Sequence, residues 1–155
     1  MAFPYAIRQA VETDVDVLVD FTLREAAEAE GLTLSAEAAT AGVRAGFGSR
    51  ALSSYWVAVT SDGTIAASTS VVKEWSNFHG GHYWWIQSFY IHPGHRRTGL
   101  VEALIEHLIG ASRSEGALDL RLYVHRSNHR AIRAYRRCGF TEGPYLMMRM
   151  ASGET

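Results

Sequence analysis

The clearest chemistry in the sequence stands just ahead of a helical stripe. Arg96, Arg97 and Gly99 separate the aromatic-rich β pattern Tyr83 to Ile91 from the apolar series Leu100, Val101, Leu104, Ile105 and Leu108. A helix start leaves about four backbone N–H groups unpaired and carries a partial positive charge, which suits a pyrophosphate. Gly99 lets the backbone approach an anionic oxygen closely, and the two guanidinium groups add charge-assisted donors. The spelling Arg-x-x-Gly recurs at Arg113 to Gly116 and Arg136 to Gly139, but both lie at helix exits, where the dipole has the wrong sign for an anion. A turn that merely needs Gly94 and Gly99, flanked by solvated arginines, has the same spelling. Neither G-x-G-x-x-G nor G-K-[ST] occurs, which removes the Rossmann and P-loop readings.

A second group runs from Asn128 to Phe140. Asn128 suits the N-cap of a helix reaching Arg137. Tyr135 follows Ala131 by four residues and Ile132 by three, so it lies on the apolar face of that helix, as core or as a site residue. Capping and packing account for both positions; ligand contact is compatible with either. Arg130, Arg133, Arg136 and Arg137 read as a solvated face. Cys138, near a helix end with nothing to lower its pKa, reads as packing.

Taken together, the stretch Ile91-His92-Pro93-Gly94-His95-Arg96-Arg97-Thr98-Gly99-Leu100-Val101 resembles the acetyl-CoA motif of the GNAT superfamily of N-acetyltransferases, a β-branched residue, x, Pro, then [RQ]-x-x-G-x-[GA]. Asn128 to Phe140 resembles the second motif of that superfamily, N-x-x-A-x-x-x-Y-x-x-x-G-F. The element order from Tyr5 to Met150 is similar to that superfamily as well, and the arrangement across Ile7 to Phe140 is distantly similar to its polyamine and diamine acetyltransferases. The resemblance implies acetyl-CoA as co-substrate, with backbone at Phe89 and Ile91 along the pantetheine arm. It places the pyrophosphate on Arg96, Arg97, Thr98, Gly99, Leu100 and Val101, with Asn128 beside the pantetheine and Tyr135 beside the sulfur. Val101 departs from the usual Gly or Ala, and its side chain is expected to tighten the fit.

The chemistry implied is direct transfer of acetyl to a primary amine, with backbone N–H groups on the oxyanion and Tyr135 as the general acid that protonates the leaving thiolate. An amine like that of lysine is only about 0.04% neutral at pH 7, so something must take its proton. Relatives often carry Glu on the aromatic strand where this chain has Gln87, which can orient a water but cannot act as a base. Glu74, His82, His92 and His125 are the candidate bases. Trp85 and Gln87 are expected at the acceptor. Glu25, Glu28, Glu30 and Glu37 make the first two helices acidic, which suits a cationic amine and equally suits a solvated face. The pairs His92 and His95, and His125 and His129, lack a third ligand at metal-site spacing, so no metal is expected. The acceptor is expected to be a small molecule. Acetylation of a protein lysine or N-terminus remains open, as does a non-catalytic acetyl-CoA sensor, for which Gln87 argues and against which Tyr135 argues.

The elements that must position these residues follow from periodicity. The sequence predicts a strand at Tyr5 to Gln9, a helix capped near Thr13 and ended by Gly31, and a second helix capped by Ser35. Strands at Tyr55 to Thr60 and Thr64 to Val72 form a hairpin through Ser61-Asp62-Gly63, and a long strand covers His82 to Ile91. A helix from about Thr98 to Ser114, a strand at Leu118 to Val124, a helix from Asn128 to Arg137 and a last strand at Tyr145 to Met150 complete the order. This is an α+β fold, one GNAT-like domain over 1–150 with a mixed, mostly antiparallel sheet and helices on both faces, followed by the tail 151–155. With 155 residues and a net charge of −1, the chain has no global field to hold a polyanion, so no nucleic-acid partner is expected. One cysteine excludes an intrachain disulfide, and no apolar run reaches the ~18 residues of a membrane span. A cytoplasmic protein without a membrane partner is expected; a homodimer stays open.

Overall fold

The computed structural model describes residues 2–153; Met1, and Glu154 and Thr155 of the expected tail, lie outside the described residues. The elements are β1 (Tyr5–Gln9), α1 (Val15–Glu30), α2 (Ala36–Phe47), β2 (Ser54–Thr60), β3 (Ile65–Ser76), β4 (Gly81–Ile91), α3 (Leu100–Ser114), β5 (Asp119–Leu122) and α4 (His129–Arg137). The strands form one sheet in the order β1-β2-β3-β4-β5. Neighbours from β1 to β4 are antiparallel, whereas β5 joins β4 in parallel after the α3 crossover. The sheet is mixed and mostly antiparallel, as the sequence predicts.

Alternation along β2 divides the core between two faces. Val57 meets Val15, Leu18 and Val43 from α1 and α2. Its neighbours Trp56 and Ala58 lie in the clusters built on α3, through Ile105 and Leu108 and through Leu100 and Leu104 respectively. Leu104 and Leu108 are fully buried, each contributing about 1.5–3 kcal/mol relative to exposure. Helices therefore cover both faces, and α3 is fixed against β4 by the stripe read from sequence.

The expected helix signals are used. Ser35 accepts the Ala38 N–H at 3.2 Å, Asn128 Oδ1 accepts the Ala131 N–H at 3.2 Å, and Gly31 ends α1 at φ 65°. Thr13 is not the cap of α1. A 3-10 turn over Glu12–Asp14 precedes that helix, and Asp14 instead accepts the Val11 N–H at 2.8 Å and the Arg8 guanidinium at 2.6 Å.

Two boundaries and one element differ from expectation. The α3 helix begins at Leu100 rather than Thr98, because Gly99 sits in the left-handed region and cannot continue a right-handed turn. β5 covers Asp119–Leu122 only. The strand expected at Tyr145 to Met150 is absent, and Tyr145, Leu146, Met147, Met148 and Met150 are all exposed. A β pattern becomes a strand only where a neighbouring edge takes its N–H and C=O groups, and the segment after Phe140 does not join the four-residue β5.

Candidate functional site

The site begins where β4 loses its neighbour. β5 pairs with β4 only from Tyr83 to Ile86, so beyond Ile86 that edge of β4 has no strand beside it. The register against β3 also shifts here: Ser70 faces Ser88 while Val71 faces Ile86, leaving Gln87 as the extra residue of a bulge. The bulge resets the alternation. Trp84 and Ile86 pack towards α3, and so do Phe89 and Ile91. The His92 N–H turns to the Ala66 carbonyl at 2.9 Å, and the pleat directs the Phe89 and Ile91 amides to the opposite, unpaired edge.

The turn after β4 presents a second row of backbone donors. Arg97 adopts φ 64° and Gly99 φ 80°, with Arg96 extended between Pro93 and them. A non-glycine residue held in the left-handed region marks strain of the kind found at ligand-binding turns. The first closing bond of α3 runs from the Ala103 N–H to the Gly99 carbonyl at 3.1 Å, so the amides of Leu100, Val101 and Glu102 have no helical acceptor. A Cβ built at Gly99 meets nothing within 4 Å, so the backbone there faces open space. Arg97 and Thr98 are exposed.

Two residues of the turn behave differently from expectation. The Arg96 guanidinium, expected beside the pyrophosphate, donates to Glu28 Oε2 at 2.5 Å and to the Ile91 carbonyl at 2.9 Å, pinning the turn to α1 and β4. Val101 packs its side chain against both clusters under α3. Its departure from Gly or Ala therefore adds to the core while its amide stays at the helix start.

Tyr135 comes from α4 and closes the other side of the β4 edge. Its ring stands edge-on to Phe89, centroids 6.1 Å apart, and edge-on to Phe140 at 5.8 Å. Ser53 Oγ is the one sealed side-chain polar atom without a partner among the described residues, so the Tyr135 hydroxyl is not a stranded core group. Burial, then the negative charge of Glu25, pushes the Tyr135 pKa well above the ordinary tyrosine value and keeps the hydroxyl protonated.

Glu25 is the residue that sequence reasoning did not single out as a base. It reaches from α1 to the unpaired edge of β4, where its Oε1 accepts the Phe89 N–H at 2.9 Å. Burial pushes its pKa up to about 7, the Phe89 hydrogen bond pulls it back, and the charge of Glu30 adds to the rise. Sequence places Glu25 only among the acidic residues of two helices. The signal that separates it, a contact across 64 residues, exists only in the fold.

The bases proposed from sequence are spread elsewhere. Glu74 accepts the Trp85 indole N–H at 2.6 Å, and Trp85 stacks on Tyr123 with centroids 4.4 Å apart. Trp85, Gln87 and Glu74 share a depression of about 330 Å³ with Val72, Ile86 and Tyr123. His92 accepts the Gly94 N–H at 3.2 Å within the turn, and His125 holds Ser127 at 2.7 Å in the loop before α4. His82 stands edge-on to exposed Trp75. Among the described residues, no group of three or more His, Cys, Asp or Glu side chains converges as a metal site. No helix among them is long and apolar enough to cross a membrane.

Comparison with known proteins bears on the family and the fold. The family model described as "Acetyltransferase (GNAT) family" matches residues 20–140. An L-methionine sulfoximine/L-methionine sulfone acetyltransferase of Salmonella typhimurium is 29% identical over 92 residues, which span 59% of this chain and 54%, about half, of that protein. A structure from Clostridium difficile 630, described as "a possible acetyltransferase", superposes with a TM-score of 0.91 at 28% identity, covering 97% of this chain and 99% of the other. An acetyltransferase structure with acetyl-CoA from Clostridium acetobutylicum shares the fold at a TM-score of 0.74 and 16% identity, covering 94% and 96% of the two chains.

Proposed function

The chain belongs to the GNAT family of acetyltransferases, and from that premise we propose that it transfers an acetyl group from acetyl-CoA directly to a small primary amine. The observation that carries the proposal is the continuous track of backbone donors. It runs from the Phe89 and Ile91 amides on the strand-free edge of β4, the first of them held by Glu25, through the left-handed residues Arg97 and Gly99, to the free first turn of α3. An extended thioester with a pyrophosphate at one end matches that track in chemistry and order.

In this reading the amides of Arg97, Thr98, Gly99, Leu100 and Val101 hold the pyrophosphate, with the exposed Arg97 side chain adding charge. Arg96 serves by fixing the turn through Glu28 and the Ile91 carbonyl. Phe89 and Ile91 line the pantetheine, and the Ile91 amide stabilises the oxyanion. Asn128, which already caps α4, sets the side of the channel on which Tyr135 stands. Tyr135 is the general acid: its raised pKa keeps a proton ready for the departing thiolate. Trp85 and Gln87 form the acceptor wall in their shared depression with Glu74. The acting unit is 1–150, with 151–155 as a tail. The Salmonella relative is named for L-methionine sulfoximine and L-methionine sulfone, both small molecules, which supports a compact acceptor. The test is amine-dependent release of free thiol from acetyl-CoA.

A further inference from the structure

We propose that Glu25, from α1, is the general base of this reaction, and that it is held on the Phe89 amide until the thioester enters. The inference rests on the acetyl-transfer reading above and supplies the proton acceptor that Gln87 cannot be.

Three observations converge on it. Glu25 Oε1 lies 2.9 Å from the Phe89 nitrogen, on the stretch of β4 edge that has no strand partner. Tyr135 stands against the same residue from the opposite element, its ring edge-on to the Phe89 ring. A carboxylate and a phenol therefore flank one backbone position, and the charge of Glu25 raises the Tyr135 pKa. Finally, Glu25 is the acidic side chain of α1 left available at this edge. Glu28, three residues on, is already bonded to Arg96 and to the Tyr90 hydroxyl at 2.9 Å.

The Phe89 N–H has one proton to donate. A thioester drawn along β4 from the turn at Arg97 needs that donor for its own oxygen atoms, so seating it takes the donor from Glu25. The carboxylate that loses this bond is a stronger base, because the Phe89 hydrogen bond is what lowers its pKa. The charged and titratable groups around it act in the same direction or are already neutralised. Glu30 on α1 raises its pKa, Tyr135 on α4 stays neutral, and Glu28 with Tyr90 is offset by Arg96.

The step balances. The ammonium gives one proton to Glu25, which returns it to solvent, and the freed amine attacks the thioester carbonyl carbon. The C–N bond forms, the C–S bond breaks, and the thiolate takes the Tyr135 proton. The second amine proton leaves as the amide forms and restores Tyr135. Both pKa values are raised, so near neutrality Tyr135 keeps its proton while Glu25 can take one up and release it.

The experiment compares wild type, Glu25→Gln and Glu25→Asp on one accepted small amine, with acetyl-CoA affinity by calorimetry and full pH–rate profiles. Glu25→Gln keeps an oxygen acceptor for the Phe89 N–H, so the fold and acetyl-CoA binding persist. The wild-type rate is expected to rise with pH and level off above a midpoint near neutrality. In Glu25→Gln the neutral-pH rate falls about 10²–10⁴-fold, and the profile climbs without levelling towards the pKa of the amine. Glu25→Asp recovers part of the rate and the levelling. Wild-type turnover with an unchanged rate and profile in Glu25→Gln overturns this inference alone. Absence of amine-dependent turnover in the wild type overturns the acetyl-transfer reading and this inference with it.

Discussion

The Glu25 carboxylate and the Phe89 backbone nitrogen are 64 residues apart in sequence and 2.9 Å apart in space, across the edge of β4 that β5 leaves unpaired. This contact joins α1 to the strand along which the thioester is proposed to lie. It also puts a group with a raised pKa inside the fold, which carries a cost to stability.

That cost has a definite sign. The Glu25 pKa is pushed from its ordinary range near 4.5 up to about 7 in the folded chain. Between those values the folded protein holds a proton that the unfolded chain has lost, so stability falls as pH rises through this window. Glu25→Gln removes the penalty. Thermal melts at pH 4 and pH 8 should show a variant close to wild type in acid and several degrees more stable in base. Equal melting differences at both pH values would mean that Glu25 is not a desolvated carboxylate.

How far the sequence reaches is visible in particular residues. The caps at Ser35 and Asn128, the α3 stripe and the hairpin at Asp62 are local, and local chemistry sets them. The bulge at Gln87 is not legible, because Tyr83 to Ile91 is apolar on both faces and alternation gives no register. The Arg96–Glu28 and Glu25–Phe89 contacts depend on where α1 docks on β4, which no spacing encodes. Tyr145 to Met150 has the pattern of a strand, yet pairing needs an edge, and the pattern does not say whether one is taken.

For Tyr135 the expectation is a loss of chemistry without a loss of binding. Tyr135→Phe keeps the ring against Phe89 and Phe140 and removes only the hydroxyl. Turnover should drop about 10²–10⁴-fold if protonation of the thiolate limits the rate, while calorimetric affinity for acetyl-CoA changes little. Because its pKa is raised, the wild-type rate should show no fall from Tyr135 ionisation near pH 10. Full turnover in the variant would make Tyr135 a packing residue.

At Gly99 the structure separates binding from folding. A side chain there meets no atom within 4 Å, so the strain is that of φ 80° alone, about 1–2 kcal/mol. Gly99→Val should therefore fold, while its branched side chain enters the space over the α3 amides and weakens acetyl-CoA binding about tenfold or more, equivalent to 1.4 kcal/mol or above. Circular dichroism and calorimetry on the same sample check both halves. Unchanged affinity in a folded variant would place the pyrophosphate elsewhere.

In the proposed function, the donor track from Phe89 to Val101 holds acetyl-CoA for transfer to a small primary amine. Free-thiol release from acetyl-CoA, measured across a panel of small primary amines with product mass for each, tests it most directly. The expected result is saturable, amine-dependent release with one N-acetylated product per thiol for at least one compact amine. Tight acetyl-CoA binding with no release above hydrolysis for any amine in the panel would contradict it.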